Sequence, residues 1–366
     1  MVEEADQSDP WLMLEYSVQQ QVEYGELSIE IIENVEPLDR QLGVWPKKTV
    51  PDTLHEIIFA HSNPTKTEIA VADRNPNATL SMFTYAILDG AKVAGLPEFL
   101  EGSGLEHRCL FKGEAYAELK DVAPWIVRLE DGNDFVRRLF TGSEGMNGLW
   151  ENEPGIFVRS CRKLDEMWKH FRRFVRIRDD KSQWFYFRFW EPRVMSRYLV
   201  EVATDIERLA RWGQYRSEPA LSAILIGNAE KREFSCFDFP SFSDRQPRNH
   251  GFEIGELERS IFRRHQEDLF IKKLQKFLAA ESPGFARLSA DDQFSLCSSQ
   301  LKFANANGLR IEKAVADFAL ADVVSSGRIR RDPICNKLLV SSDHQLDRAK
   351  KILTEASARL QHGRGF

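Results

Sequence analysis

The sequence predicts an α/β domain, with a mixed sheet covered by helices, followed by an all-helical C-terminal domain. Between residues 84 and 237, short apolar runs of strand length alternate with stretches of helical periodicity. An irregular segment rich in phenylalanine, proline and glycine follows at 239–255, and the pattern beyond it is helical. Alternating strands and helices favour a sheet with helices on its faces. A chain of 366 residues is also long for a single core, so we expect two or three units.

The predicted strands are short apolar runs that end at turn residues such as the Asp89-Gly90 pair. They cover residues 27–31, 85–88, 108–111, 125–129, 155–160, 184–190, 221–226 and 233–237. The predicted helices are 96–100, 115–122, 135–140, 164–175, a stretch from Pro192, 257–278, 289–307, 311–319 and 343–360. Ser289, three residues before Asp292, is typical of a helix start, and Asn307-Gly308 is typical of a helix end.

One predicted strand, 184–190, is strongly aromatic and is followed directly by a helix. Side chains alternate along a strand, so Phe185, Phe187 and Phe189 are expected on one side and Trp184, Tyr186, Arg188 and Trp190 on the other. Both faces of this strand are therefore predicted to be mostly buried. Pro192 suits the first helical position because its missing N–H has no partner there, which places Glu191 at the N-cap.

Composition shifts along the chain predict four regions. Residues 1–75 are an N-terminal segment that either stands apart or completes the first domain, and a polar run at 73–77 marks its end. Residues 76–235 form the α/β domain and 236–254 form a linker. Residues 255–366 form the helical domain.

The charge balance and hydropathy pattern argue against several classes of protein. The net charge of −6 and the pI near 5.9 argue against a dedicated nucleic-acid binder, which usually carries a basic excess. The acidic start of the chain and its short apolar group at 11–14 do not resemble a signal peptide. No stretch approaches the ~18 apolar residues of a membrane span. We therefore expect a cytoplasmic protein with no membrane partner.

No pattern in the sequence predicts catalysis, a metal site or a cofactor. The five scattered cysteines form no C-x-x-C pair and are expected to be free, buried thiols. Motifs of a nucleophile elbow, a dinucleotide fold, a phosphate loop and a zinc protease are all missing. One enzymatic alternative stays open, a metal-dependent nuclease built on Asp89 and Glu106. The alternative explanation of these two acids is a turn after a strand and an ion pair.

The segment 159–178 is locally basic. Its apolar residues recur at helical spacing and form one stripe, so its cations lie on the remaining faces of the predicted helix. Three interpretations are open: a solvated helix face, a docking surface for an acidic segment of another protein, or a nucleic-acid site. The candidate partner-binding residues are Arg159, Arg162, Lys163, Lys169, Arg172 and Arg173.

Five segments in order resemble the family called domain of unknown function 4123. They are 85–91, 105–111, 123–129, 155–160 and 187–194, and the resemblance covers about residues 83–205. The residues that carry it, read as structural, are Tyr85, Asp89, Gly90, Glu106, Arg108, Arg188, Trp190, Glu191, Pro192 and Arg193. Position 191 is a departure, because the family usually has aspartate there and glutamate caps a helix less well, at a cost of ~0.5–1 kcal/mol.

The resemblance implies a binding protein without catalysis. Members of that family are adaptors or chaperones of the bacterial type VI secretion system. They hold a cognate toxic effector and load it onto the spike, the valine-glycine repeat protein. The implied partners are the secreted effector and the C-terminal region of the spike protein, with no nucleotide or other cofactor.

Overall fold

The computed structural model describes residues 20–24, 26–59, 82–145, 147–179, 183–216, 218–240, 242 and 253–361. It divides into two compact units, Met1–Ile261 and Phe262–Phe366. The predicted boundary at 73–77 and most of the predicted linker at 236–254 lie outside the described residues. Among the described residues, no helix combines the length and the apolar character that a bilayer crossing needs.

Within the described part of the first unit, eight strands form one sheet in the order β1-β2-β12-β11-β6-β3-β5-β4, and every neighbouring pair is antiparallel. The strands are β1 Gln20–Tyr24, β2 Leu27–Ile32, β3 Phe83–Asp89, β4 His107–Cys109, β5 Pro124–Arg128, β6 Gly155–Ser160, β11 Ala223–Asn228 and β12 Glu233–Asp238. The central strands β3, β5, β6 and β11 are buried on both faces, which explains why they appear as continuous apolar runs in the sequence.

Helices cover both faces of this sheet. Helices α1, α2 and α4 contribute Leu54, Leu100 and Phe135 to a core on the face that carries Leu88 and Phe157. On the other face, α5 packs against β5 and α6 packs against β11. The described helices of this unit are α1 Asp52–Phe59, α2 Leu96–Ser103, α3 Glu114–Leu119, α4 Asp134–Leu139, α5 Leu164–Val175, α6 Pro192–Glu201 and α7 Ile206–Gly213.

An aromatic cluster joins α5, α6 and α7 to the chain that precedes α6. Phe174 stacks on Trp212 with 3.9 Å between the ring centres, and Phe189 stacks on Phe171 at 5.6 Å. Phe187 meets Tyr198 edge to face at 6.1 Å. All these rings are at most 2% exposed, so they form a densely packed core layer.

The aromatic strand is shorter than the sequence predicts. It is β8, Trp184–Tyr186, the edge of a second sheet of order β13-β7-β8 with β7 Arg176–Asp179 and β13 Glu253–Ile254. The prediction that both faces of 184–190 are buried is wrong for its first half, since all three residues of β8 are exposed. The prediction fails because the chain leaves the sheet after Tyr186. Residues 184–186 and residues 187–190 therefore do not form one strand with two common faces.

A two-stranded ladder of β9 Gln214–Tyr215 and β10 Glu218–Pro219 also lies among the described residues of this unit. Helix α8, Glu256–Glu281, starts in the first unit, where Glu258 accepts a hydrogen bond from the Gly255 amide at 2.8 Å. The division between the units falls within this helix.

The second unit is helical throughout its described residues and packs around one apolar core. Its remaining helices are α9 Pro283–Ala286, α10 Ala290–Ala306, α11 Glu312–Val324, α12 Pro333–Leu339 and α13 Gln345–Gln361. The predicted caps of α10 are confirmed: Ser289 accepts from the Asp292 amide at 3.1 Å, and Asn307 ends the helix before Gly308 at φ +74°. The predicted fold class, a sheet covered by helices followed by a helical region, is confirmed.

Candidate functional site

Strand register separates the family-motif residues into two groups at opposite ends of β3. Asp89 lies opposite Pro124 at one end, and Tyr85 lies opposite Arg128 at the other. Glu106 is at the second end, because its carbonyl accepts a hydrogen bond from the Arg128 amide at 2.8 Å. Asp89 and Tyr85 are four residues apart, so the two ends are separated by roughly 13 Å. Asp89 and Glu106 therefore do not meet as ligands of one metal ion, and no group of three potential ligands occurs elsewhere in the described residues.

At the first end, Asp89 anchors the chain that leads into α6. Its carboxylate binds the Arg188 guanidinium at 2.5 Å and accepts from the Ala91 amide at 3.0 Å. The Asp89 side chain is 2% exposed, whereas that of Arg188 is 54% exposed. Gly90 is required beside it, since a Cβ there would lie 2.7 Å from the Asp121 carbonyl oxygen.

The corner before α6 is held by two further ion pairs. Glu191 is the N-cap residue, but its side chain accepts no hydrogen bond from the helix, as expected from its extra methylene. It binds Lys92 at 2.8 Å instead, and Arg193 binds Glu153 at 3.2 Å. Trp190 is buried and Pro192 occupies the first helical turn. These contacts fix the corner at which the chain enters α6.

At the second end, Tyr85, Glu106 and Arg108 line an open cleft of about 630 Å³. Glu106 binds Arg128 at 3.0 Å, and Arg108 binds Asp165 at the start of α5. The Tyr85 hydroxyl donates to the Arg162 carbonyl at 2.7 Å. Burial raises the pKa of Tyr85 above its usual value, so this hydroxyl stays a neutral donor. Glu106 and Asp165 are thus each paired with an arginine, and Lys163 also lines the cleft.

The six basic candidates lie in different environments. Arg162 binds Glu166 and Glu218 and donates to the Pro219 carbonyl at 3.0 Å, and Arg173 donates to the Arg211 and Gln214 carbonyls at 3.2 and 3.1 Å. Both guanidinium groups thus hold structural elements together.

Of the other basic candidates, Lys163 and Lys169 are exposed on α5 and its N-cap, while Arg159 is half-buried on β6. Arg172 lies 4.6 Å from the centre of the Trp168 ring and donates to the Leu110 carbonyl at 3.3 Å. Within this set, the two lysines and Arg172 are the cations best placed to meet a partner.

The five cysteines form no disulfide, as expected, and four of them are buried. Burial raises the pKa of Cys109 to about 11 and that of Cys297 to about 12. At neutral pH these groups stay protonated and are poor nucleophiles.

The surface that sequence reasoning missed is formed by β8 and its neighbours. Trp184, Phe185 and Tyr186 are 48, 42 and 53% exposed. Arg176 and Arg178 of β7 lie 4.5 and 4.3 Å from the centre of the Trp184 ring. These five residues are called the aromatic–arginine surface below. Their composition matches that of protein interfaces, in which aromatic residues and arginine are enriched. The alternation of Arg176, Ile177 and Arg178 before the aromatic run was the available sequence signal.

Comparison with known families and proteins adds one finding. The family model described as Domain of unknown function (DUF4123) matches residues 84–208, about one third of the 366 residues. This confirms the resemblance predicted at 83–205, and that family is associated with type VI secretion. Searches of curated proteins and of solved structures found no significant match.

Proposed function

We propose that this protein is a non-enzymatic adaptor that holds a cognate toxic effector in the cytoplasm and loads it onto the type VI secretion spike. The observation that carries the proposal is the family match over residues 84–208, with its association with type VI secretion. The matched region contains the corner around Asp89, the cleft at Glu106 and the aromatic–arginine surface.

The physical features of the chain support binding as its mode of action. A metal-dependent nuclease would need the carboxylates of Asp89 and Glu106 for catalysis. Both carboxylates instead form ion pairs, Asp89 with Arg188 and Glu106 with Arg128. The aromatic–arginine surface exposes side chains that typically become buried against another protein. The adaptor would cover one segment of the effector until a second surface of the adaptor binds the C-terminal region of the spike. Non-covalent holding of this kind needs no nucleotide.

A tagged pull-down from cells that produce the secretion apparatus tests this proposal. The tagged full chain is recovered at moderate salt, and bound proteins are identified by mass spectrometry against an untagged control. We expect enrichment of one toxin together with the spike protein. Recovery of neither, from cells shown to produce both, would contradict the adaptor function.

A further inference from the structure

We propose that the outer edge of β8 binds an extended segment of the cargo effector, which adds to the β13-β7-β8 sheet as a further strand and carries acidic residues at alternate positions. This inference rests on the adaptor function proposed above and names the surface that takes the cargo.

The backbone of β8 has one hydrogen-bonding edge that no described strand occupies. In the ladder with β7, the Asp179 amide donates to the Gln183 carbonyl at 3.0 Å, and the Phe187 amide donates to the Val175 carbonyl at 3.0 Å. Ile177 and Phe185 are paired midway between these bonds, so the amide and carbonyl groups of Phe185 point toward β7. Those of Trp184 and Tyr186 point away from it, and no other described strand pairs with them.

The three residues of β8 include none of the charges or prolines that usually protect an edge from strand addition. Edge strands in soluble proteins are commonly guarded by charge, proline, a bulge or a covering element. The β4 edge of the main sheet follows that rule, since the Trp168 indole donates to the Cys109 carbonyl of β4 at 2.6 Å. By contrast, β8 presents three consecutive exposed aromatic residues. Such an edge is suited to β-augmentation by an extended peptide.

The charge of the aromatic–arginine surface selects an acidic occupant. Register places Arg176 beside Tyr186 and Arg178 beside Trp184 on one face of the sheet. Both guanidinium groups lie over the Trp184 ring, within 4.5 Å of its centre, and neither has a carboxylate partner among the described residues. Two like charges over one ring repel each other, and a carboxylate from a partner would relieve this repulsion.

The aromatic surface continues beyond β8 toward α5. Tyr186 meets Phe111 with 5.4 Å between the ring centres, and Arg172 donates to the carbonyl of Leu110, the residue before Phe111. A strand added beside β8 would present every second side chain to this face. A cargo segment that alternates acidic and β-branched residues would place its carboxylates beside Arg176 and Arg178. Its β-branched residues would favour the extended conformation needed for pairing with β8.

The cargo is the more fitting source of this segment than a second copy of the chain. Edge-to-edge pairing of two β8 strands would bring two sets of unpaired arginines onto one joined sheet, which is unfavourable. An adaptor that holds cargo must cover a segment that lacks a partner in the free effector, and an open strand edge does this through backbone hydrogen bonds that tolerate different sequences.

Fluorescence anisotropy with synthetic peptides and the full-length protein tests the proposed site. The probe is a labelled eight-residue peptide that alternates glutamate and valine. The control peptides alternate lysine and valine, or carry N-methyl groups along one backbone edge of the acidic sequence. We expect binding of the acidic peptide alone. Failure of that peptide to bind, or equal binding of the N-methylated one, would overturn strand addition.

Matched charge reversals locate the site. Arg176→Glu combined with Arg178→Glu should weaken binding of the acidic peptide by about 10-fold or more, because attraction becomes repulsion. Lys337→Glu combined with Lys350→Glu changes the net charge equally but lies in the helical second unit, and should leave affinity within about 2-fold. Circular dichroism establishes that both variants are folded. Equal losses in the two variants would refute this location.

The same variants distinguish failure of this inference from failure of the adaptor function. In the pull-down, the Arg176→Glu and Arg178→Glu variant should lose the cargo, whereas the lysine variant should keep it. If wild type recovers cargo and spike and the arginine variant recovers them equally, the adaptor function stands and the β8 site is wrong. A dimer in sedimentation that Trp184→Ser abolishes would assign the edge to a second copy and would also refute the proposal.

Discussion

The two halves of the aromatic segment at 184–190 have nearly the same composition and opposite environments. Trp184 and Phe185 are 48 and 42% exposed, whereas Phe187 and Phe189 are 1 and 0% exposed. The first half lies beside the arginines of β7, and the second lies among rings of α5, α6 and α7. Aromatic residues serve in cores and in interfaces, so the neighbouring elements decide which role each ring takes.

The largest expected effect on stability tests this comparison by replacing one phenylalanine in each half of the segment with alanine. Phe189→Ala should lower the free energy of unfolding by about 3–5 kcal/mol, because it leaves a cavity beside Phe171 and Trp212. Phe185→Ala, four residues earlier, should cost under about 1 kcal/mol, since much of that ring already contacts solvent. Urea unfolding followed by tryptophan fluorescence measures both. Equal losses would show that β8 is buried in solution.

The second prediction concerns Arg188, whose exposed guanidinium ties the buried half of the segment to Asp89. Arg188→Ala should lower the free energy of unfolding by about 2–3 kcal/mol, because it leaves a nearly buried carboxylate without its cation. Asp89→Asn should cost about 1 kcal/mol, since it removes the charge and keeps an acceptor for the Ala91 amide. Combining the two substitutions should cost less than the sum. Strict additivity in urea unfolding would mean that the pair does not stabilise the corner.

Much of the first unit could be predicted from local sequence. The strand at 155–160 and the helix at 164–175 match β6 and α5 at both ends, because each is an apolar pattern bounded by polar or turn residues. Strand order could not be predicted this way, since pairing such as that of β2 with β12 joins residues about 200 positions apart. Whether Asp89 and Glu106 lie close together could not be predicted for the same reason. Only the strand register shows that they lie at opposite ends of β3.

The candidate site was harder to predict than the fold. The basic residues at 159–178 were identified, but Arg162 and Arg173 bind Glu218 and backbone carbonyl groups within 211–219, which the sequence could not reveal. The exposed surface was missed because alternation of aromatic residues predicts a strand without saying what covers it. Its arginines lie on β7, a four-residue strand that follows α5 directly, and the alternation at 176–178 is too short to be distinguished from the end of that helix.

The third prediction uses pH to test the buried cluster. Burial, with the nearby Arg173 cation, holds the pKa of His170 well below its usual value near 6.5. Folded His170 is therefore neutral, while the unfolded chain takes up a proton as pH falls below about 6.5, so acid favours unfolding. Between pH 7.5 and 5.5 this group should lower stability by about 1.4 kcal/mol. His170→Gln should remove that part of the pH dependence in urea unfolding, and an unchanged slope would assign it to another group.

The smallest expected effect on stability is in the exposed half of the aromatic segment, at Trp184 and Tyr186. This variant tests most directly whether the two halves have different roles. Trp184→Ser combined with Tyr186→Ser should change the free energy of unfolding by about 1 kcal/mol or less, because both side chains are half exposed and lose only ring contacts with Arg176, Arg178 and Phe111. The same variant should bind less of a hydrophobic dye, since the exposed aromatic area falls. A loss of several kcal/mol would show instead that these rings support the fold. Unchanged stability with reduced dye binding would separate the two halves by function: one half holds the corner together, and the other is available to a partner.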